Sequence, residues 1–373
     1  MDLELSAADA ALRAEAAAWL EQWQATHETT DPRLDLAWRS EYQRDAYDAG
    51  WLVPSWPVGA GGHAAGPEAE LWIKLDFARM RAPKLPNVQG PGVVAHALNT
   101  FGSDEQRQHV RAVSRGDVWW CLGMSEPQAG SDLASMRTRA RRDGEQWVID
   151  GQKVWTSHAR DSSHCLLFAR TASDGPPHKG ISAFVVPMET AGITVAPIEK
   201  IGAQDEEFCE VFFDDVRVPA SALIGAENAG WKVAMESLGH ERDMIWIMNL
   251  VEIEEANALT RTALLERPRP ELELEYAAVR CDAEAIWLTG LRGLASRLAG
   301  RPDRETPLLK LFATETAQRA FLLARRAAGL DTPDRVGREL LLGEIEALGA
   351  TLYGGTSEIQ RNIIGERILG LPR

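Results

Sequence analysis

Three short stretches of this 373-residue chain carry residue types that could do chemistry. The first is "SEPQAGSD", Ser125 to Asp132, a polar turn directly after an apolar run, with two serines, two acids and Gly130. Such a turn can present hydroxyls and backbone N–H groups to a ligand, because glycine lacks the Cβ that would hold the ligand away. A solvated β-turn is the other reading. The second is "GQKVWTS", in which Gly151 turns the chain and Trp155 and Ser157 alternate onto one face of a strand. An aromatic plane followed by a hydroxyl suits stacking on, and hydrogen bonding to, a flat heteroaromatic ligand, and suits core packing as well. The third is the C-terminal "YGGTSEIQRNIIGERILGLPR", where two glycines and small polar residues lead into an amphipathic helix. It is built like a loop that approaches a ligand closely, yet its centre offers no acid or base.

The elements that must position these stretches follow from periodicity. Up to about residue 117 the apolar residues recur every three or four, as with Leu12, Ala16, Trp19 and Leu20, which predicts helices. "GWLVPSWPVGAGGHAAGPE" interrupts them as a Pro/Gly connector; it lacks a GK[ST] ending and a preceding strand, so it is not read as a phosphate loop. From about 118 to 220 the texture changes to short β-type runs such as "QWVIDGQKVWTS", "HCLLFART" and "CEVFFDDVRVP", bounded by Gly, Pro, Asp and Ser. These predict a compact antiparallel sheet or barrel. Helical patterning returns from about 230 to the end. The expected division is 1–117 helical, 118–229 β-barrel and 230–373 helical bundle, an α+β architecture.

Composition narrows the function classes. With 45% hydrophobic and 25% charged residues the chain suits a soluble globular protein. A formal charge of -15 argues against a nucleic-acid binder, which needs clustered Lys and Arg. No apolar stretch reaches membrane-spanning length, and no secretory leader pattern opens the chain, so a cytoplasmic protein is expected. Cys121, Cys165, Cys209 and Cys281 lie far apart without CxxC spacing, which argues against zinc and for reduced thiols.

Taken together, four stretches resemble the acyl-CoA dehydrogenase family over nearly the whole chain. "WCLGMSEPQAGSDLASMRTRA" is similar to that family's first signature and "WVIDGQKVWTS" to its flavin-contacting strand. "FCEVFFDDVRVPASALIGAENAGWKVAMESL" is similar to the end of its β domain, and "YGGTSEIQRNIIGERILGLPR" to its second signature. The resemblance implies FAD, an N-terminal helical domain, a middle antiparallel β domain and a C-terminal four-helix bundle. It implies that Met124 and Ser125 lie beside the flavin ring, Ser131 on its phosphate-ribose side, Trp155 along the isoalloxazine and Ser157 at its N5 edge. Thr356 and Glu358 match FAD-contacting positions. The absence of a G-x-G-x-x-G after a strand agrees, since this family holds FAD without a Rossmann domain.

The implied reaction removes an α-proton from an acyl-CoA thioester and transfers hydride from the β-carbon to flavin N5, with electron-transfer flavoprotein as acceptor. In many members the basic Glu follows the Tyr of the C-terminal loop, where this chain has Gly354. A subset carries the Glu on the first helix of the C-terminal domain, and the matching acid here is Glu241 in "SLGHERDMIW". Leu238, Met244 and Ile245 flank it at helical spacing, so it interrupts an apolar stripe, a costly arrangement unless paired or functional. Arg242 matches a family arginine near the site, which implies that it positions Glu241 or the substrate; a plain structural salt bridge to Glu241 is the lesser alternative. The Gly354 N–H would donate to the thioester carbonyl.

Two departures bear on assembly and substrate. The family's "RxQFG" stretch, whose Arg reaches the FAD pyrophosphate of a neighbouring subunit, is absent from "ERPRPELELEYAAVRCDAEA", leaving Arg280 as the candidate replacement. "LLKLFATETAQ" resembles actinobacterial-type members, many of which act on steroid side chains or other bulky acyl-CoA thioesters, some in mixed assemblies. A homodimer, a homotetramer and a hetero-oligomer with a paralogous subunit are therefore all open. Competing functions are a flavin oxidase or monooxygenase, a dehydrogenase of carrier-protein thioesters, and a non-catalytic subunit of a mixed assembly.

Overall fold

The computed structural model describes residues 5–29, 35–201, 207–301, 304–329 and 335–372, with the side chains of 238–244 and 335–336 outside the description. Short helices form first, each started by a local signal. Ser6 caps α1 (Ala7–Thr26), Asp35 caps α2 (Leu36–Asp48), and Pro67 opens α3 (Pro67–Arg79). After a π-turn at Gly90–Val94 come α4 (Ala95–Phe101), α5 (Asp104–Arg107) and α6 (His109–Arg115), α5 entered through a Ser103/Gln106 capping box. Leu20, Trp23, Tyr42, Ile73 and Phe77 close a core among α1, α2 and α3. The Pro/Gly connector is tightly packed: a Cβ at Gly62 would lie 2.3 Å from the Trp56 carbonyl oxygen.

Among the described residues eight strands follow, β1 (Trp120–Gly123), β2 (Arg139–Asp143), β3 (Gln146–Ser157), β4 (His164–Arg170), β5 (Ile181–Pro187), β6 (Ile193–Ile198), β7 (Phe208–Pro219) and β8 (Leu223–Ile224). They form one sheet in the order β6-β7-β3-β2-β4-β5-β8, with β1 on β4. Most pairings are antiparallel, and β1–β4 and β2–β4 are parallel. The continuous run in β4 has a physical cause. Leu166 and Phe168 pack towards α4 and α6, while Cys165, Leu167 and Ala169 pack on the opposite face. A strand covered on both sides has no solvent face to keep polar. The parallel pairing also sets Cys121 beside Cys165; both thiols are free and buried, as is that of Cys209, and Cys281 is free and exposed.

The second helical region comprises α7 (Gly230–Glu266), α8 (Pro270–Leu298), α9 (Glu305–Ala328), α10 (Arg335–Ala350) and α11 (Ser357–Ile363). The 37-residue α7 starts on the sheet, where Gly230 lies so close to Ser182 that a Cβ would come within 2.5 Å of its carbonyl carbon. It then runs into the bundle, whose centre is α9 packed on α7, α8, α10 and α11. Glu254, Glu255 and Glu252 on α7 pair with Arg79 at the end of α3 and with Arg81 and Lys84 just beyond it. Among the described residues no helix is long and apolar enough to cross a membrane.

The α7–α8 crossing depends on one small residue. A Cβ at Gly290 would lie 2.3 Å from Trp246 Cη2. Overpacking of this kind costs on the order of 1–3 kcal/mol, so Gly290→Ala is expected to lower the thermal midpoint by several degrees. An unchanged midpoint in calorimetry would remove this crossing as a constraint.

Candidate active site

The polar turn after β1 is organised by one buried ion pair. Lys153 on β3 is fully buried and donates from Nζ to Glu126 Oε1 at 2.9 Å and to the Met124 carbonyl at 3.0 Å. Glu126 also accepts from the amides of Arg137 (2.6 Å) and Thr138 (2.9 Å) and from Gln128 Nε2 (2.6 Å). The backbone of Glu126 pairs in both directions with Ala129, and Val154 N–H donates to the Ser125 carbonyl at 2.9 Å. Downstream, Arg170 donates to the carbonyls of Ala134 and Met136. The whole turn from Met124 to Thr138 is thereby fastened to β3 and β4. Met124 and Ser125 remain half-buried and Ser131 is exposed.

Burial alone would raise the pKa of Glu126. The Lys153 charge and the hydrogen bonds from Lys153, Arg137 and Thr138 outweigh it and bring the carboxyl down to about 2. Burial lowers the pKa of Lys153, against the opposing pull of Glu126.

Trp155 departs from the expected alternation. A register shift between Lys153 and Thr156 breaks the pairing with β7, and Trp155 takes a φ of 60°. Thr156 and Ser157 both turn inward while Trp155 stands 58% exposed, so Trp155 and Ser157 do not share an ordinary strand face. The reason is the bulge, which adds a residue and changes the phase of the strand. The indole meets Phe208 edge-on, with ring centroids 6.1 Å apart. An exposed aromatic on a strained backbone is an unusual expense in a sheet, and it leaves a flat apolar face available to a ligand.

A second cluster forms at the C-terminal loop. Thr356 caps α11, its hydroxyl accepting from Ile359 N–H. Glu358 lies exposed in the first turn, its pKa held below the ordinary value by its own backbone amide and the Thr356 hydroxyl. Gly354 and Gly355 have φ of 64° and 92°, and a Cβ on Gly354 would lie 2.9 Å from Ile245 Cδ1 of α7. Lys310 on α9, 1% exposed, donates to the carbonyls of Ala350 (2.9 Å) and Gly355 (2.7 Å), and Gln360 Nε2 donates to the Gly354 carbonyl at 3.1 Å. Among the described residues the amides of Gly354, Gly355 and Thr356 have no acceptor. Free N–H groups on a glycine loop at a helix start are donors for an anionic or carbonyl oxygen.

The structure thus groups Met124, Ser125, Trp155 and Ser157 around β3, and Gly354, Thr356 and Glu358 around the α11 N-terminus. Arg280 belongs to neither group: it lies exposed on α8, 6.0 Å from the centroid of Tyr276. The side chains of Glu241 and Arg242 lie outside the described residues. Glu126, Lys153, Arg170, Lys310 and Gln360 were not singled out by sequence reasoning. The signal for the two lysines is a cation inside an apolar run, in "QKVW" and "LLKLFA".

Comparison with known proteins places this geometry among relatives. Residues 121–216 match the acyl-CoA dehydrogenase middle domain, and residues 228–369 match the acyl-CoA dehydrogenase C-terminal domain. Acyl-CoA dehydrogenase IpdE1 of Mycobacterium tuberculosis is 35% identical, covering 87% of this chain and 86% of that protein. Acyl-CoA dehydrogenase FadE26 of the same organism is 34% identical with the same coverage. Among solved structures, the ChsE4-ChsE5 complex from Mycobacterium tuberculosis has a chain 30% identical with a TM-score of 0.84, covering 100% of both chains. The Tcur3481-Tcur3483 steroid ACAD has one 28% identical, also with a TM-score of 0.84 and 100% coverage of both.

The buried pair makes stability depend on acid in a defined window. The folded pKa of Glu126, about 2, is depressed below its ordinary 4.5, so its contribution is present above about pH 4.5 and lost as pH falls towards 2. The difference is on the order of 3 kcal/mol. Urea unfolding of wild type and Glu126→Gln is expected to differ at pH 7 and to converge between pH 4.5 and 2. A gap that stays constant through that window refutes the assignment.

Proposed function

The chain belongs to the acyl-CoA dehydrogenase family, FAD-dependent oxidoreductases acting on CH–CH bonds, and from that premise we propose that it converts a bulky acyl-CoA thioester to the trans-2-enoyl thioester with Glu241 as the base. The observation that carries the proposal is the C-terminal loop. Among the described residues its Gly354–Thr356 amides have no acceptor, and it abuts Ile245 on α7. Position 241 precedes Ile245 by four residues on that helix, so the two share a helix face.

In this reading Gly354 N–H donates to the thioester carbonyl, where negative charge develops as the α-proton leaves. Glu241 takes that proton, and Arg242 orients it or the substrate. Gly354 lets the loop approach α7 closely, because any side chain there would run into Ile245 Cδ1. FAD, when bound, supplies the acceptor for the β-hydride. The fit to FAD rests on the exposed Trp155 plane for the ring and the fastened Met124–Ser125 turn beside it. Ser157, Ser131, Thr356 and Glu358 would complete the site, and Arg280 would reach the pyrophosphate of a neighbouring subunit. The division into 1–117, 118–229 and 230–373 then assigns the ring contacts to the sheet and the base to the bundle.

Electrons pass on to electron-transfer flavoprotein. A steroidal acyl group and a partner subunit, a second copy or a paralogue, are supported by the similarity to the steroid ACAD and to the ChsE4-ChsE5 complex.

Glu241→Gln is expected to retain FAD and to slow anaerobic flavin bleaching by acyl-CoA at least ~100-fold. A panel of straight-chain, branched and steroidal acyl-CoA thioesters read by stopped-flow absorbance makes the measurement, with steroidal thioesters expected to reduce the flavin fastest. Bleaching at the wild-type rate in the mutant excludes Glu241. Rapid reoxidation of the reduced wild type by oxygen, with peroxide formed, would replace the dehydrogenase reading with an oxidase.

A further inference from the structure

The catalytic reading leaves Lys310 without a task, and its setting is unusual. It sits on the buried face of α9 between Leu309 and Ala313, where an ammonium is costly unless fully satisfied. What it holds is the loop itself. Nζ reaches the carbonyls of Ala350 and Gly355, one on each side of the turn, and Gln360, also buried, takes the Gly354 carbonyl between them. Its Cε lies 3.8 Å from the position a Cβ on Gly354 would occupy.

A trans peptide sets its C=O and N–H on opposite sides of the chain. With the Gly354 carbonyl held by Gln360, the Gly355 N–H points away from Gln360. With the Gly355 carbonyl held by Lys310, the Thr356 N–H points away from α9. These are among the amides that have no acceptor within the described residues. Gly355 cannot be replaced without disturbing the brace, since a Cβ there would lie 2.7 Å from Gln360 Nε2.

We propose that Lys310, with Gln360, is the positioning residue of the C-terminal ligand loop, drawing its carbonyls into the bundle so that the amides of Gly355 and Thr356 are presented to an oxygen acceptor of the bound cofactor or substrate. The proposal rests on the flavoprotein reading above. Lys310 acts through the backbone and adds a positive charge beneath the loop, favouring ligands that bring negative charge there.

Lys310→Met keeps the unbranched apolar stem and removes the donors. Two measurements are made on the full-length protein: FAD affinity by flavin fluorescence, and amide hydrogen exchange of the 350–360 segment without FAD. The expected result is at least tenfold weaker FAD binding, an altered flavin absorption envelope and at least tenfold faster exchange in that segment. Gly290→Ala, destabilised elsewhere in the same bundle, is the control and is expected to leave FAD affinity and the absorption envelope unchanged. If Lys310→Met does not fold, Gln360→Met takes its place with the same readouts and expectations. Wild-type FAD affinity and wild-type exchange in the variant overturn the proposal. A wild-type protein that binds no FAD instead overturns the flavoprotein reading, and the exchange measurement still decides the role of Lys310.

Discussion

An ammonium and a carboxylate sunk together beneath a sheet constrain everything around them, and the Lys153–Glu126 pair is the constraint on which this site depends. Removing either partner would strand the other in a low-dielectric interior, at a cost of about 3–5 kcal/mol. Glu126 therefore needs further donors, and it finds them in the amides of Arg137 and Thr138, some eleven residues beyond it in the chain. That requirement closes the turn. The Met124 carbonyl is drawn to the same ammonium, so the residues expected to lie beside the flavin are fixed as a by-product of neutralising a buried charge.

The bundle answers its own loop in the same way. Lys310 holds carbonyls of the loop, and the glycines at 354 and 355 permit the left-handed turn that brings those carbonyls to it. Both loops are thus organised from behind by a lysine in a hydrophobic layer, one from the sheet and one from the bundle. In each, carbonyls face the cation, and in the C-terminal loop the amides are left free to face the other way. Ile245 fills the space that a side chain at 354 would need, which couples the glycine to the helix expected to carry the base.

Much of the architecture can be read from the sequence because period and punctuation are local signals. The runs "HCLLFART" and "GISAFVVPM" announce strands buried on both faces, and the Leu and Ala spacing of α9 announces a bundle helix. Trp155 shows where local reading ends. A period of two puts Trp155 with Ser157, but a bulge changes the phase, and bulges are set by pairing with β7, some sixty residues on. Lys310 is hidden for a related reason. A lysine in an apolar stripe ordinarily extends its stem to water, and only acceptors 40 and 45 residues away reveal that this one stays inside. The ion pairs of the α7 glutamates stay illegible for the same lack of long-range information, since Arg79 lies 175 residues from Glu254.

Those long spans also order events in time. Gln106 donates to the Ser221 carbonyl across 115 residues, and α3 reaches α7 through Arg79 and through Leu71 and Leu75 in the bundle core. A chain emerging from the ribosome has made its first three helices long before α7 exists to receive them. The apolar face of α3, with Leu71 and Leu75 destined for the bundle core, must wait exposed. Closing such large loops is slow because the entropy is lost before the contacts form. The arrangement that brings sheet and bundle to one site thus leaves apolar surface of the N-terminal helices uncovered until the last third of the chain has been made.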